Sequence, residues 1–250
     1  MEFHKYYANG NDFIIFQTDN LDENYLSKLA IKLCNRHSGI GADGLIAIKK
    51  EENKEYDFSW GFYNQDGSSA SMCGNGARAA AHFAYSNNLA KEKMSFLTGA
   101  GIIKANIYND DFVEIRLTKA KIIHENLVEF GNVFCLIDTG VPHLVTLDGV
   151  QNYNEENAKY LREKYDANVN YATFKDGVLY VRTYERGVGE TLACGTGMNA
   201  CFYYARMLKL VDEKATIYPK SNDICEVSFK DDYLYFKAQV KKIFSTTLDC

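Results

Sequence analysis

Proline is nearly absent, two in 250 residues, so no stiff proline-rich linker divides the chain. No C-x-x-C pair occurs among the seven cysteines, whose count is odd and whose spacings are wide. That disfavours both a disulfide scaffold and a zinc site, and no metal is expected. No basic stripe marks a nucleic-acid binder, and the net charge is −5 at pH 7. No apolar run approaches the roughly 20 residues a membrane span needs. The start, Met1-Glu2-Phe3-His4-Lys5-Tyr6, lacks the apolar core of a signal peptide. These absences predict a cytoplasmic protein with reduced thiols, partnered by neither membrane nor nucleic acid.

What remains is ordinary globular composition, 46% hydrophobic and 24% charged. Tyrosine (18) and phenylalanine (15) are plentiful, which favours strands and large core side chains. The length suits one large domain or two of about 120 residues.

Two stretches repeat one pattern. Met72-Cys73-Gly74-Asn75-Gly76-Ala77-Arg78 and Ala193-Cys194-Gly195-Thr196-Gly197-Met198-Asn199 both read Cys-Gly-x-Gly, followed by residues that are apolar on most sides. Their cysteines stand 121 positions apart, about half the chain. Helices with so little polar surface are expected to be wrapped by protein. Helical periodicity also marks 24–37 and 154–165. Strands are expected over 12–17, 45–48, 57–63, 94–98, 101–108 and 112–117, then over 132–138, 168–172, 178–184, 215–218, 225–229, 233–239 and 242–244. Arg36-His37-Ser38-Gly39-Ile40-Gly41-Ala42-Asp43-Gly44 is glycine-rich but lacks the Gly-Lys-Ser/Thr ending of a phosphate loop and leads into a strand.

The order strand, loop, helix, strands, Cys-Gly-x-Gly, buried helix, strands thus occurs twice. The predicted fold class is α+β, two pseudo-symmetric domains from an internal duplication, each a curved sheet around a central helix. The first domain, 1–118, carries Cys73 and the second, 119–239, carries Cys194; the last strand, about 240–250, is open to returning to the first.

A thiol at a helix N-terminus meets the positive end of the dipole and unpaired N–H groups, which lower its pKa and favour thiolate. The same N–H groups bind a carboxylate. Two such starts aimed at one point suit proton exchange at a carbon α to a carboxylate. One thiolate removes the proton, the opposite thiol delivers another, and the stereocentre inverts. Cys34, Cys135, Cys201, Cys225 and Cys250 lack this context and read as structural or incidental. A lone Cys-Gly-x-Gly is more often structural; the repeat before two apolar helices favours function.

At these residues the chain resembles the diaminopimelate epimerase family along nearly its whole length. The likeness rests on Gly10-Asn11-Asp12-Phe13, Gly39 to Gly44, Phe62 to Ser68, Cys73 to Arg78, Pro142-His143, Asn168-Val169-Asn170, and Tyr184 to Thr191 running into Ala193 to Gly197. It implies a diaminopimelate-epimerase-like fold with the site between the domains. It implies a cofactor-independent isomerase that turns LL-2,6-diaminopimelate into the meso form, in lysine and peptidoglycan precursor synthesis. Cys73 and Cys194 are implied as the acid/base pair. Gly74, Asn75, Gly195 and Thr196 are implied at the reacting carboxylate. Asn11, Asn64, Asn170, Glu185 and Arg186 are implied around the rest of the substrate, with Arg186 suited to a distal carboxylate. A homodimer is an implied assembly. Val141, Gly44 and Tyr7-Ala8 depart from the usual pattern on the substrate side. Val141 and Gly44 keep open a racemase of another amino acid, for example histidine. His143 reads either as an orienting group or as a cap beside Pro142. Two readings from other classes stand beside these: a non-catalytic binding module, which has no need of either thiol, and a cysteine hydrolase, which leaves the second thiol without a role.

Overall fold

The computed structural model describes residues 1–52, 55–109 and 111–249. Cys250, expected to be structural or incidental, lies outside the described residues. The chain divides into two compact units, Met1–Ile115 with Gln239–Cys250, and Arg116–Ala238.

The first unit runs β1 (Glu2–Ala8), β2 (Asn11–Gln17), α1 (Glu23–Cys34), β3 (Gly44–Lys50), β4 (Phe58–Asn64), α2 (Gly74–Ser86), β5 (Lys93–Thr98), β6 (Gly101–Tyr108) and β7 (Phe112–Arg116). The C-terminal strand, Lys241–Thr247, pairs antiparallel with β1. From there the ladder continues antiparallel to β2, parallel to β3, antiparallel to β4, parallel to β5, and antiparallel to β6 and then β7. Both faces of the central strands are covered, so β2 reads as an unbroken apolar run. Ile14 and Phe16 join Leu26, Leu29, Ala30 and Leu33 of α1 in one core cluster. Phe13 and Ile46 instead approach Gly76 at the start of α2. Ten of the thirteen residues of α2 are buried, five of them alanines, which lets the strands close around it.

Helix α1 begins at the Asp22 cap, whose carboxylate accepts from Tyr25 N at 2.7 Å. It ends at Cys34, three residues short of the expected 37. Asn35 Oδ1 accepts from the backbone N–H groups of His37 and Ser38, both at 2.9 Å, which turns the chain away. Gly39 then packs against the helix end so closely that a Cβ would fall 2.5 Å from the Lys32 and Leu33 carbonyls.

The second unit runs β8 (Lys121–Glu129), β9 (Asn132–Asp138), β10 (Pro142–Thr146), α3 (Glu155–Tyr165), β11 (Asn168–Lys175), β12 (Val178–Glu185), β13 (Gly189–Thr191), α4 (Gly195–Met207), β14 (Lys214–Tyr218), β15 (Cys225–Lys230) and β16 (Tyr233–Gln239). Strands β8 to β12 and β14 to β16 repeat the pairing order of the first unit: antiparallel, antiparallel, parallel, antiparallel, parallel, antiparallel, antiparallel. Helix α3 packs Ala158 and Leu161 on Leu136, Leu144 and Val169, as α1 does in the first unit. Four strands escape the sequence reading, β1 in the first unit and three here. Most of β8 is exposed, so it has no clean alternation to detect. β10 continues directly from a turn, and β13 is three residues long. Among the described residues no helix is long and apolar enough to cross a membrane.

Candidate active site

Each unit places its repeated cysteine as the N-cap of its central helix. In the first, Cys73 is extended (φ −144°, ψ 120°) and partly exposed, and its Sγ accepts from Gly76 N at 3.4 Å. The sulfur therefore sits over the open N–H groups of the helix start, beside the positive end of the dipole.

Around it, four side chains of the first unit are strung together. Arg78 Nη2 donates to Asn75 Oδ1 (2.6 Å), Asn75 Nδ2 to Asn11 Oδ1 (2.8 Å), and Asn11 Nδ2 to Asp43 Oδ2 (3.0 Å). Arg36 closes the far end, donating to Asp43 Oδ1 at 2.7 Å and to both oxygens of Asp12. Lys5 donates to the Gly41 carbonyl and pairs with Asp12. Burial alone would raise the Asp12 carboxyl, but the hydrogen bonds from Arg36 and Lys5 outweigh it and hold the pKa at about 2. Asn64, at the end of β4, lies opposite Gly44 in register and donates to Ser68 Oγ at 3.0 Å. Gly44 is closed to any side chain, since a Cβ would come 2.7 Å from the Phe62 ring and 2.9 Å from the Tyr63 carbonyl.

In the second unit Cys194 is buried at the start of α4. Its Sγ lies 3.5 Å from Thr196 Oγ1, and the thiol hydrogen-bonds to Glu185. The dipole argument predicts a lowered thiol pKa; the structure gives the opposite. Burial pushes the Cys194 thiol up and the Glu185 carboxylate adds to the shift, against the weaker pull of the Thr196 hydroxyl. Burial also raises the Glu185 pKa, partly offset by hydrogen bonds from Thr191 and Cys194.

Thr196 is held by a second chain. Asn170 is fully buried; its Oδ1 accepts from Thr183 Oγ1 at 2.9 Å, and its Nδ2 reaches His143 Nδ1 at 3.1 Å and the Leu144 and Asn168 carbonyls at 3.3 Å. A donor facing Nδ1 makes that nitrogen the acceptor, so the proton sits on Nε2, which lies 2.9 Å from Thr196 Oγ1. Burial lowers the His143 pKa to about 3, so the ring is neutral at pH 7. The Thr196 hydroxyl hydrogen is left to face the sulfur.

Of the residues expected from the sequence, Asn11 and Asn75 meet in one network, and Glu185, Thr196 and Cys194 meet in another. Asn170 joins the second only through His143. Arg186 does not join: it is exposed, donates its backbone N–H to Asn168 Oδ1 at 2.9 Å and pairs with Asp166 at 3.5 Å. Two supporting residues stand inside stretches already singled out but carry no local signal of their own. Asp43 hides among glycines, and Thr191, at the end of β13, donates to Glu185 Oε1 at 2.7 Å. Among the described residues no cluster of His, Cys, Asp and Glu is set up to hold a metal ion.

The chain is similar to known proteins along its length. Residues 3–123 match the model of a family described as diaminopimelate epimerase. A protein named diaminopimelate epimerase from Campylobacter jejuni (strain RM1221) is 51% identical over 249 residues, covering 98% of this chain and 97% of its own. One of the same name from a Nitratiruptor species is 50% identical over 250 residues, covering 98% of both. Among solved structures, a phenazine biosynthesis protein of the PhzF family from Bacillus anthracis superposes with a TM-score of 0.74 at 16% identity, covering 100% of this chain and 99% of its own. That last likeness is one of fold.

Proposed function

Because the chain belongs to the diaminopimelate epimerase family, we propose that it inverts the α-carbon of LL-2,6-diaminopimelate to the meso form with two cysteines and no cofactor, in lysine and peptidoglycan precursor synthesis. The observation that carries the reading is the recurrence of one arrangement in two units: a cysteine capping a buried helix, with glycine next and free N–H groups behind it.

In this mechanism Cys73 and Cys194 act on opposite faces of one carbon. One thiolate takes the α-proton as the C–H bond breaks. The other thiol gives its proton to the opposite face as the new C–H bond forms. The enzyme is left with its proton on the other sulfur. Burial and Glu185 keep Cys194 protonated at rest, which fits it as the acid of the first half-cycle, with Cys73 as the base. When Cys194 loses its proton, the Thr196 hydroxyl supports the thiolate. The backbone N–H groups of Gly74, Asn75, Gly195 and Thr196 receive the reacting carboxylate and the charge that develops on it. Asn11, Asn64, Asn170, Glu185 and Arg186 complete the substrate side, Asn170 through His143. The reading implies a cytoplasmic enzyme with an amino acid as partner and neither nucleic acid nor membrane. Monomer and homodimer are told apart by light scattering.

The test is deuterium uptake at the α-carbon of LL-diaminopimelate in D₂O, run beside a panel of amino acids. Uptake by diaminopimelate, lost in Cys73→Ala and in Cys194→Ala by about 10²–10⁴-fold, supports the proposal. A protein with confirmed reduced thiols and no uptake refutes it. The exposed, apolar Val141 ahead of Pro142-His143 favours a second reading, a racemase of another amino acid such as histidine, which the same panel would reveal.

A further inference from the structure

We infer that Asp43 is a positioning residue that fixes the polarity with which Asn11 meets the substrate. This rests on the proposed role of Asn11 in binding. Asp43 and Arg78 end the chain Arg78–Asn75–Asn11–Asp43, and they are chemically opposite. An ionised carboxylate only accepts hydrogen bonds and a guanidinium only donates. Each asparagine amide between them could be flipped. Only one assignment gives every contact a donor and an acceptor: Arg78 donates to the Asn75 oxygen, the Asn75 nitrogen to the Asn11 oxygen, and the Asn11 nitrogen to Asp43. The Asn9 carbonyl, 3.5 Å from Asn75 Nδ2, selects the same orientation independently.

The consequence lies in what is left over. Both side-chain hydrogens of Asn75 are engaged, one on Asn11 and one on Asn9. Asn11 uses one of its two on Asp43. Its second N–H is therefore the group presented outward on that side, a donor, which suits a carboxylate oxygen. A flipped amide would set a carbonyl against that oxygen and repel it. Asp43 is itself held firmly. Its N–H donates to Asp12 Oδ1, its carbonyl accepts from Gln65 N, and its carboxylate also receives Asp12 N at 3.1 Å. The second unit is built alike at the matching place: the side chain two residues after its cysteine, Thr196, is held by His143 from β10, itself held by Asn170 from β11.

Two measurements test this. The first uses the wild-type protein without substrate, labelled with ¹⁵N. Both side-chain amide protons of Asn75 and one of the pair on Asn11 should exchange slowly, while the second Asn11 proton exchanges fast. Exchange of the Asn75 pair at the rate of an exposed amide would overturn the inference, whatever the protein catalyses. The second uses Asp43→Asn, whose amide cannot accept at both oxygen positions. KM for the substrate should rise by about 10–150-fold, the equivalent of one hydrogen bond to a charged group, with kcat within about threefold. The Asn75 side-chain resonances should move although residue 43 does not touch Asn75. An unchanged KM, or a fall in kcat alone, counts against the inference. If wild type shows no turnover, the function proposal fails, and the amide exchange still decides the relay.

Discussion

Thr191 Oγ1 donates to Glu185 Oε1 across 2.7 Å, and Glu185 in turn receives the Cys194 thiol. One hydroxyl thus stabilises the ionised form of a carboxylate that burial drives toward its neutral form. Replacing Thr191 by valine keeps the shape and removes the donor. Stability should fall by about 1 kcal/mol, the usual net worth of such a bond. The Glu185 pKa should rise further, so the acid limb of the kcat/KM profile should move to higher pH. A profile that superposes on wild type would show that Thr191 only packs.

Acid should destabilise the protein well before most carboxylates titrate. His143 is buried with a folded pKa of about 3, lowered from the usual 6.5. A histidine depressed on folding binds its proton more readily when unfolded. Its effect is therefore absent above about pH 6.5 and grows as pH falls toward 3. From this group alone the loss between pH 7 and pH 5 is about 2 kcal/mol. Asp12 also has a depressed folded pKa, about 2, so its contribution is present above about pH 4 and lost only below that. Urea midpoints at pH 7 and pH 5 read the difference. His143→Gln should be less stable at pH 7 but show a shallower slope; equal slopes would remove His143 as the cause.

If both thiols attend one carbon, they come close enough to bond when no substrate lies between them. Mild oxidation should then inactivate the enzyme, a reductant should restore it, and substrate should protect it. Peptide mapping of the oxidised protein should find Cys73 joined to Cys194. A different pairing in the inactive protein would reject the two-faced geometry.

The cysteines and their helices are legible in the sequence because the signal is local. Cys-Gly-x-Gly followed by Ala77 to Ala84, or by Met198 to Ala205, announces a helix start and a buried helix in one stretch. The repeat of strand order is legible for the same reason. The partnerships are not. Asp43 meets Asn11 across 32 residues and His143 meets Thr196 across 53, distances at which side-chain spacing carries no period to read. Charge state is hidden too: a helix N-terminus suggests a lowered thiol pKa at Cys194, and only the burial seen in the fold reverses the sign. Arg186 shows the converse. Its planar fork suits a carboxylate, yet in the fold its nearest one is Asp166.

The glycine two positions into each helix separates the two half-sites in a way that mutation can read. Glycine inside a helix ordinarily costs about 0.5–1 kcal/mol relative to alanine, so Gly→Ala should stabilise unless the methyl collides. At Gly76 the added Cβ would meet Ile46 Cδ1 at 3.3 Å, the far end of a flexible side chain. At Gly197 it would meet Asn170 Oδ1 at 2.4 Å, with His143 Cε1 and Thr183 Oγ1 at 3.3 Å. Asn170 cannot retreat without breaking its bonds to Thr183, His143 and two carbonyls. Gly76→Ala should therefore leave the melting temperature within a few degrees of wild type. Gly197→Ala should cost about 1–3 kcal/mol, the range for overpacking, and lower kcat as well, because His143 and Thr196 shift with Asn170. Equal effects from the two substitutions would mean that the Asn170 network yields to a methyl group and does not fix the Cys194 environment.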